Sequence, residues 1–162
     1  MKHIAIFSLL FLTICKSAIS QNELPPVLLR NISGSEVNFK QLISSYKDTT
    51  VVISFWATWC IPCITELDNI SEVYQEKQAI KPFKFIGVSI DDSRTAKRVK
   101  PFIKGKGWIF DVLLDLNGEL KRALNITDVP HVIMIKNGSI IYRHTGYIAG
   151  EEENLYEEIK KS

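Results

Sequence analysis

Residues 50–56 read Thr-Val-Val-Ile-Ser-Phe-Trp, with β-branched and aromatic side chains at both alternate sets of positions. An apolar run on both sets is the pattern of a central strand covered on its two faces. Upstream, residues 22–38 read as an irregular lead-in containing Pro25-Pro26, followed by two short strands about a Ser33-Gly34 turn. Residues 39–46 then read as a short helix. Downstream, a turn through residues 57–59 opens a helix reaching to about Gln78, in which Leu67, Ile70, Val73 and Tyr74 recur at helical spacing.

Residues 83–90 give another strand, and residues 93–104 a helix interrupted or kinked near Pro101, which lacks a backbone donor. Gly105-Lys106-Gly107 closes it. A short strand over 110–114, an Asn117-Gly118 turn and one or two helical turns over 119–124 come next. Two apolar runs, 132–136 and 139–144, flank Asn137-Gly138, the strongest short hairpin signal. The last helix begins on Glu151-Glu152-Glu153 and ends on Lys160-Lys161, charges that complement its dipole. That charge run is expected to be a solvated face.

Strands alternating with helices and closed by a hairpin and a helix indicate an α/β sandwich: a central mixed β-sheet flanked by helices, with an N-terminal β-hairpin extension. The chain has 162 residues, 46% of them hydrophobic, which suits a single domain over 21–162. Residues 1–20 stand apart from it. Lys2 and His3 precede an apolar run over 4–14, and Ala18-Ile19-Ser20 supplies small residues, the pattern of a signal peptide cleaved before Gln21. The run falls short of the roughly 20 residues of a membrane span. Cys15 follows Leu12-Thr13-Ile14, a distant likeness to a lipobox that bulky Ile14 opposes.

The formal charge is +2, and loss of Lys2 and Lys16 with the leader leaves 18 residues of each sign. A balanced chain without a basic stripe gives no electrostatic reason to bind nucleic acid or an anionic membrane. Loss of Cys15 leaves Cys60 and Cys63, in a chain sent where disulfides persist. Such a short loop gains little as a structural brace, so the pair is better placed to react. Cys60 falls at a helix N-terminus, where unpaired N–H groups and the dipole favour a thiolate. Cys63 lies three residues on, on the same face, able to resolve a mixed disulfide by attacking Cys60. Pro62 fits the first turn. Half of a zinc site is the competing reading, for which only His131 and His144 remain as complements, without a convincing spacing.

The segment Phe55-Trp56-Ala57-Thr58-Trp59-Cys60-Ile61-Pro62-Cys63 resembles the active-site segment of the TlpA/ResA-like thiol-disulfide oxidoreductases of the thioredoxin superfamily. The resemblance extends, more loosely, over about residues 27–161 and includes Val129-Pro130. It implies the thioredoxin fold, with Pro130 in a cis peptide bond beside the disulfide, against the ordinary preference of X-Pro bonds for trans. It also implies an acid near the pair at Glu66, which helical spacing independently puts on the face of Cys63, where a carboxylate can accept the proton Cys63 must lose. Where ordinary thioredoxins carry a buried aspartate in the central strand, this chain has Ser54. Trp59, Ile61, Pro62, Val129 and His131 are the expected substrate contacts, with packing the alternative for Trp59 and a surface histidine without a task the alternative for His131. Trp56 is expected to pack. Asp91-Asp92 ends a strand and is expected to cap the next helix. The sequons opened by Asn31, Asn69, Asn125 and Asn137 matter only in a host that glycosylates.

The expected activity is reduction of disulfides in periplasmic or otherwise extracytoplasmic proteins. Relatives reduce apocytochrome c thiols for haem attachment, and an upstream thiol donor, expected to be a membrane thiol reductase, restores the pair. An oxidase or isomerase of protein disulfides is the alternative, and a non-catalytic binding module on the same fold is the alternative of another class. The Ile-Pro dipeptide is nearer the Gly-Pro of reducing thioredoxins than the Pro-His of a strong oxidant. No cofactor beyond the Cys60–Cys63 disulfide and no metal is expected. Membrane association is expected only if the leader is retained or Cys15 lipidated.

Overall fold

Strand β3 (Thr50–Trp56) is buried along its whole length, so it needs a layer on each side and a strand on each edge. The computed structural model describes residues 24–162; the expected leader, its cleavage site and Cys15 lie outside them. β3 lies between β4 (Phe83–Ser89), which it pairs in parallel, and β6 (His131–Lys136), which it pairs antiparallel. β5 (Asp111–Leu114) extends the parallel side, β7 (Ser139–Thr145) the antiparallel side, and the hairpin of β1 (Leu28–Asn31) and β2 (Glu36–Asn38) adds to β5. The result is one mixed seven-stranded sheet in the order β2-β1-β5-β4-β3-β6-β7.

Alternation along β3 divides its side chains between two cores. Val51, Ile53 and Phe55 pack with Phe39 and Ile43 of α1 (Phe39–Ser45) and with Leu120 of α4 (Glu119–Ala123). Val52 and Trp56 pack on the other face with Leu67, Ile70 and Tyr74 of α2 (Ile61–Ile80). α3 (Val99–Lys106) adds Val99 and Ile103 to this second core, and α5 (Glu151–Lys161) adds Leu155, Tyr156 and Ile159. Ser54, between Val52 and Trp56, therefore faces α2. The Asn137-Gly138 turn has positive φ at both residues, 50° and 74°, as a tight hairpin between right-twisted strands requires.

Two expectations change. The helix expected over 93–104 is a 3₁₀ turn at Ala96–Arg98 followed by α3, so Pro101 sits in a first turn, where its missing N–H costs no intrahelical bond, and does not kink the helix. The acidic start of α5 is not a merely solvated face: Glu153 pairs with Lys77 of α2 at 2.8 Å, and Glu152 accepts the Tyr147 hydroxyl at 2.6 Å.

Gly87, in the middle of β4, backs onto the indole of Trp56. A Cβ there would stand 3.1 Å from Trp56 Nε1, and the ring is held by Trp108 and Phe102 at 5.0 and 5.9 Å between centroids. Gly87→Ala is expected to lower the unfolding free energy by about 1–3 kcal/mol, as overpacking of a rigid core does. Urea unfolding of the variant checks it; an unchanged midpoint would mean the indole is free to move.

Candidate active site

The site forms where β3 ends and α2 begins. Cys60 is the N-cap of α2, and its sulfur accepts the backbone N–H of Cys63 at 3.3 Å. Cys60 and Cys63 are joined as a disulfide with their Cα atoms 5.3 Å apart. Both sulfur-bearing residues are buried, while Trp59 (61% exposed) and Ile61 (77% exposed) stand out on either side of Cys60, and Pro62 is exposed with them. An apolar rim around a nearly covered disulfide is a surface that a protein substrate can dehydrate. The Val129-Pro130 bond is cis, as the family resemblance implies, and Pro130 is buried at the start of β6.

Glu66 sits one helical turn beyond Cys63 and is only 4% exposed. Its Oε2 accepts the Ser54 hydroxyl at 2.9 Å, so the serine that stands for the usual strand carboxylate is bonded to the helix carboxylate. Burial raises the Glu66 pKa from 4.5 to about 7; the Ser54 hydrogen bond opposes the rise and the charges of Glu151 and Glu152 add to it.

The structure parts His131 from this group. In the β3–β6 register Phe55 faces His131 and Ser54 faces Val132, so the imidazole lies on the sheet face of Phe55, opposite to Glu66. It is 8% exposed, with Nδ1 at 2.7 Å from Thr145 Oγ1, and is therefore neither the expected surface histidine nor an exposed side-chain contact for substrate. Burial lowers its pKa, and Arg143 and His144 lower it further. The β6–β7 register puts His144 across from Val132, on the Glu66 side, so the two histidines of the zinc reading point to opposite faces. Among the described residues no group of three or more His, Cys, Asp or Glu side chains is placed to hold a metal ion.

Asp91 was expected to cap a helix and instead belongs here. Fully buried after β4, its carboxylate accepts the Thr58 N–H at 2.8 Å, the Thr58 hydroxyl at 2.6 Å and the Ser89 hydroxyl at 2.9 Å. It thereby fastens the turn that carries Trp59 and Cys60 to the neighbouring strand. Asp92 alone does the local capping, accepting the N–H groups of Arg94 and Thr95.

The sequence profile of the Redoxin family matches residues 21–159. The chain belongs to this family. The redoxin is 30% identical over 142 residues to the thiol-disulfide oxidoreductase ResA of Bacillus thuringiensis subsp. konkukian, covering 86% of this chain and 76% of that one. ResA of Bacillus subtilis is 26% identical over 133 residues, covering 81% and 70%. Among solved structures, a thioredoxin-like protein from Porphyromonas gingivalis matches with a TM-score of 0.75 at 43% identity, over 85% of this chain and 90% of that one. StoA from Bacillus subtilis shares the fold, with a TM-score of 0.64 at 24% identity over 83% and 98%. The redoxin is thus a protein thiol-disulfide oxidoreductase of the thioredoxin fold, with its Cys60–Cys63 disulfide at the head of α2.

Two measurements follow from this geometry. The folded redoxin keeps the Glu66 proton up to about pH 7, whereas an unburied glutamate releases it near 4.5. The favourable contribution of the neutral form is complete below 4.5 and is lost as pH rises through 7. Glu66→Gln, neutral at every pH, should therefore gain on the wild type by about 3 kcal/mol between pH 4 and pH 8 in urea unfolding. A difference independent of pH would remove the burial account. Asp91→Ala should cost about 2–3 kcal/mol, because it strands the Thr58 N–H and two hydroxyls, and Asp91→Asn should recover part of the loss. Equal losses in the two variants would show that the hydrogen bonds are not what stabilises the turn.

Proposed function

We propose that this redoxin is an extracytoplasmic reductase of protein disulfides in which Cys60 attacks, Cys63 resolves and Glu66 accepts the resolving thiol's proton. The observation that carries the reading is the placement of a buried carboxylate with a pKa of about 7 one helical turn beyond Cys63, beneath the apolar rim of Trp59 and Ile61. A base poised near neutrality can take a thiol proton without holding it too strongly to release.

The Cys60 thiolate attacks one sulfur of the substrate disulfide; a Cys60–substrate bond forms, and the first substrate thiolate leaves and takes a proton from solution. Cys63, its proton passed to Glu66, then attacks Cys60; the mixed disulfide breaks and the second substrate thiolate leaves. Two electrons have moved from the dithiol to the substrate, and Cys60–Cys63 is oxidised. An upstream thiol donor, a membrane thiol reductase in this reading, returns two electrons and resets the pair. Trp59, Ile61 and Pro62 offer the substrate an apolar contact, and the backbone of Val129-Pro130 borders it on the β6 side. Export rests on the leader pattern of residues 1–20, and the oxidised thiols of apocytochrome c are the candidate substrate that the family resemblance implies.

Insulin-disulfide reduction with a dithiol donor tests the assignment. The wild type should turn over, Cys60→Ser should be inactive, and Cys63→Ser should stall as a mixed disulfide on Cys60 that captures the physiological substrate. Undiminished turnover by Cys60→Ser would remove the catalytic assignment, and absence of turnover by the wild type would leave a binding module in place of an enzyme. A redox titration decides direction: a potential well above about −180 mV would assign an oxidase or isomerase.

A further inference from the structure

A cavity of about 90 Å³ lies behind Glu66, between α2, the β6–β7 pair and α5. Its wall brings together Glu66, Tyr142, His144, Tyr147, Glu151 and Glu152. That volume is well above the roughly 10–15 Å³ that one water requires, and the polar wall supplies several partners for one. His144 spans the wall from inside to outside: its side chain is 38% exposed, yet its Nε2 is buried and makes no hydrogen bond, with Glu151 Oε2 3.5 Å away. The carboxylates around it are not idle charges. Glu151 accepts the Ile148 N–H at 2.7 Å, and Glu152 accepts the Tyr147 hydroxyl at 2.6 Å while Asn69 of α2 donates to that hydroxyl at 2.7 Å. These bonds fix α5 and the Tyr147 loop against α2, so the cavity is a built part of the fold.

The chemistry creates a need for such a space. When a protein substrate is linked to Cys60, it covers the rim of Trp59 and Ile61, and the direct way from Glu66 to solvent past the disulfide is closed. Glu66 holds one proton at a time, so a proton it already carries must leave, with the rim covered, before it can take that of Cys63. We propose that this proton leaves by the rear: from Glu66 through water in the cavity to His144 Nε2, and from the exposed side of that imidazole to solvent. An imidazole takes a proton at one nitrogen and gives it up at the other, so a ring with Nε2 buried in the cavity wall and part of its side chain exposed is suited to the transfer. Glu151 Oε2 faces the transient imidazolium at 3.5 Å, while the charges of Glu151 and Glu152 favour the proton on Glu66 until the imidazole takes it. No electrons move in this step: Glu66 changes from neutral acid to carboxylate as His144 passes one proton outward.

This inference rests on Glu66 as the proton acceptor, and the test separates the two. The full-length reduced protein is mixed with insulin in a single turnover, quenched in acid, and the mixed disulfide and released chains are separated by mass. In dilute buffer His144→Gln should slow decay of the mixed disulfide by about tenfold or more, short of the roughly 10²–10⁴ of a directly acting acid or base, and leave its formation unchanged. Added imidazole at constant ionic strength should restore the rate in His144→Gln but not in Glu66→Gln. Such rescue would not follow if His144 merely braced the hairpin. Wild-type decay in His144→Gln beside slow decay in Glu66→Gln would overturn the rear exit alone. Wild-type decay in Glu66→Gln would overturn the proton acceptor itself.

Discussion

Strand β3 has no solvent-facing side, and the arrangement of the molecule follows from that constraint. A strand buried on both faces must be central, must be flanked by helices on both sides, and must sort its residues strictly by parity. Val52, Ser54 and Trp56 fall on one side and Val51, Ile53 and Phe55 on the other. A slip of one residue would carry Ser54 away from α2 and leave Glu66 without its hydroxyl partner. The same strand ends where α2 begins, so the placement of the cysteines and the placement of Glu66 are settled by a single packing decision.

Glu66 illustrates how a costly group is kept in a core. A carboxylate so deeply buried resists ionisation, and only one hydrogen bond from a neutral hydroxyl offsets the cost. A strand aspartate at position 54 would set a second carboxylate against it. With serine there, Glu66 meets a hydroxyl instead, and the neighbouring negative charges belong to α5, on the far side of the cavity.

Much of this was legible in the sequence because it is local. The Cys-x-x-Cys pair at a strand–helix junction, Glu66 three residues later, the Asn-Gly hairpin and the two-sided burial of β3 each depend on neighbours within a few positions. What escaped depends on partners far along the chain. Asp91 reads as a helix cap because Asp92 beside it is one; its own partner, Thr58, is 33 residues away. The clue was available only as an acid directly following a buried strand, where a local cap would need one carboxylate and the chain supplies two. His131 follows the proline that carries the family resemblance and was assigned to the site by adjacency, but pleating turns its side chain to the other face. Pro101 reads as a kink only if the helix starts early; nothing local announces that the first turn is delayed to Val99.

The tether from Asp91 to Thr58 also bears on what the disulfide does for the fold. The turn before Cys60 is held by a carboxylate of the adjacent strand and by the Cys60 N–H on the Ala57 carbonyl at 3.1 Å, and the following helix is held by its own packing. Beside them stands one restraint that does pass through sulfur, the Cys63 N–H on Cys60 Sγ at 3.3 Å. The turn that presents Cys60 is itself fastened by groups that take no part in thiol-disulfide exchange. Exchange at the head of α2 makes and breaks bonds at sulfur, while the anchor of the turn is a carboxylate just past the end of the neighbouring strand.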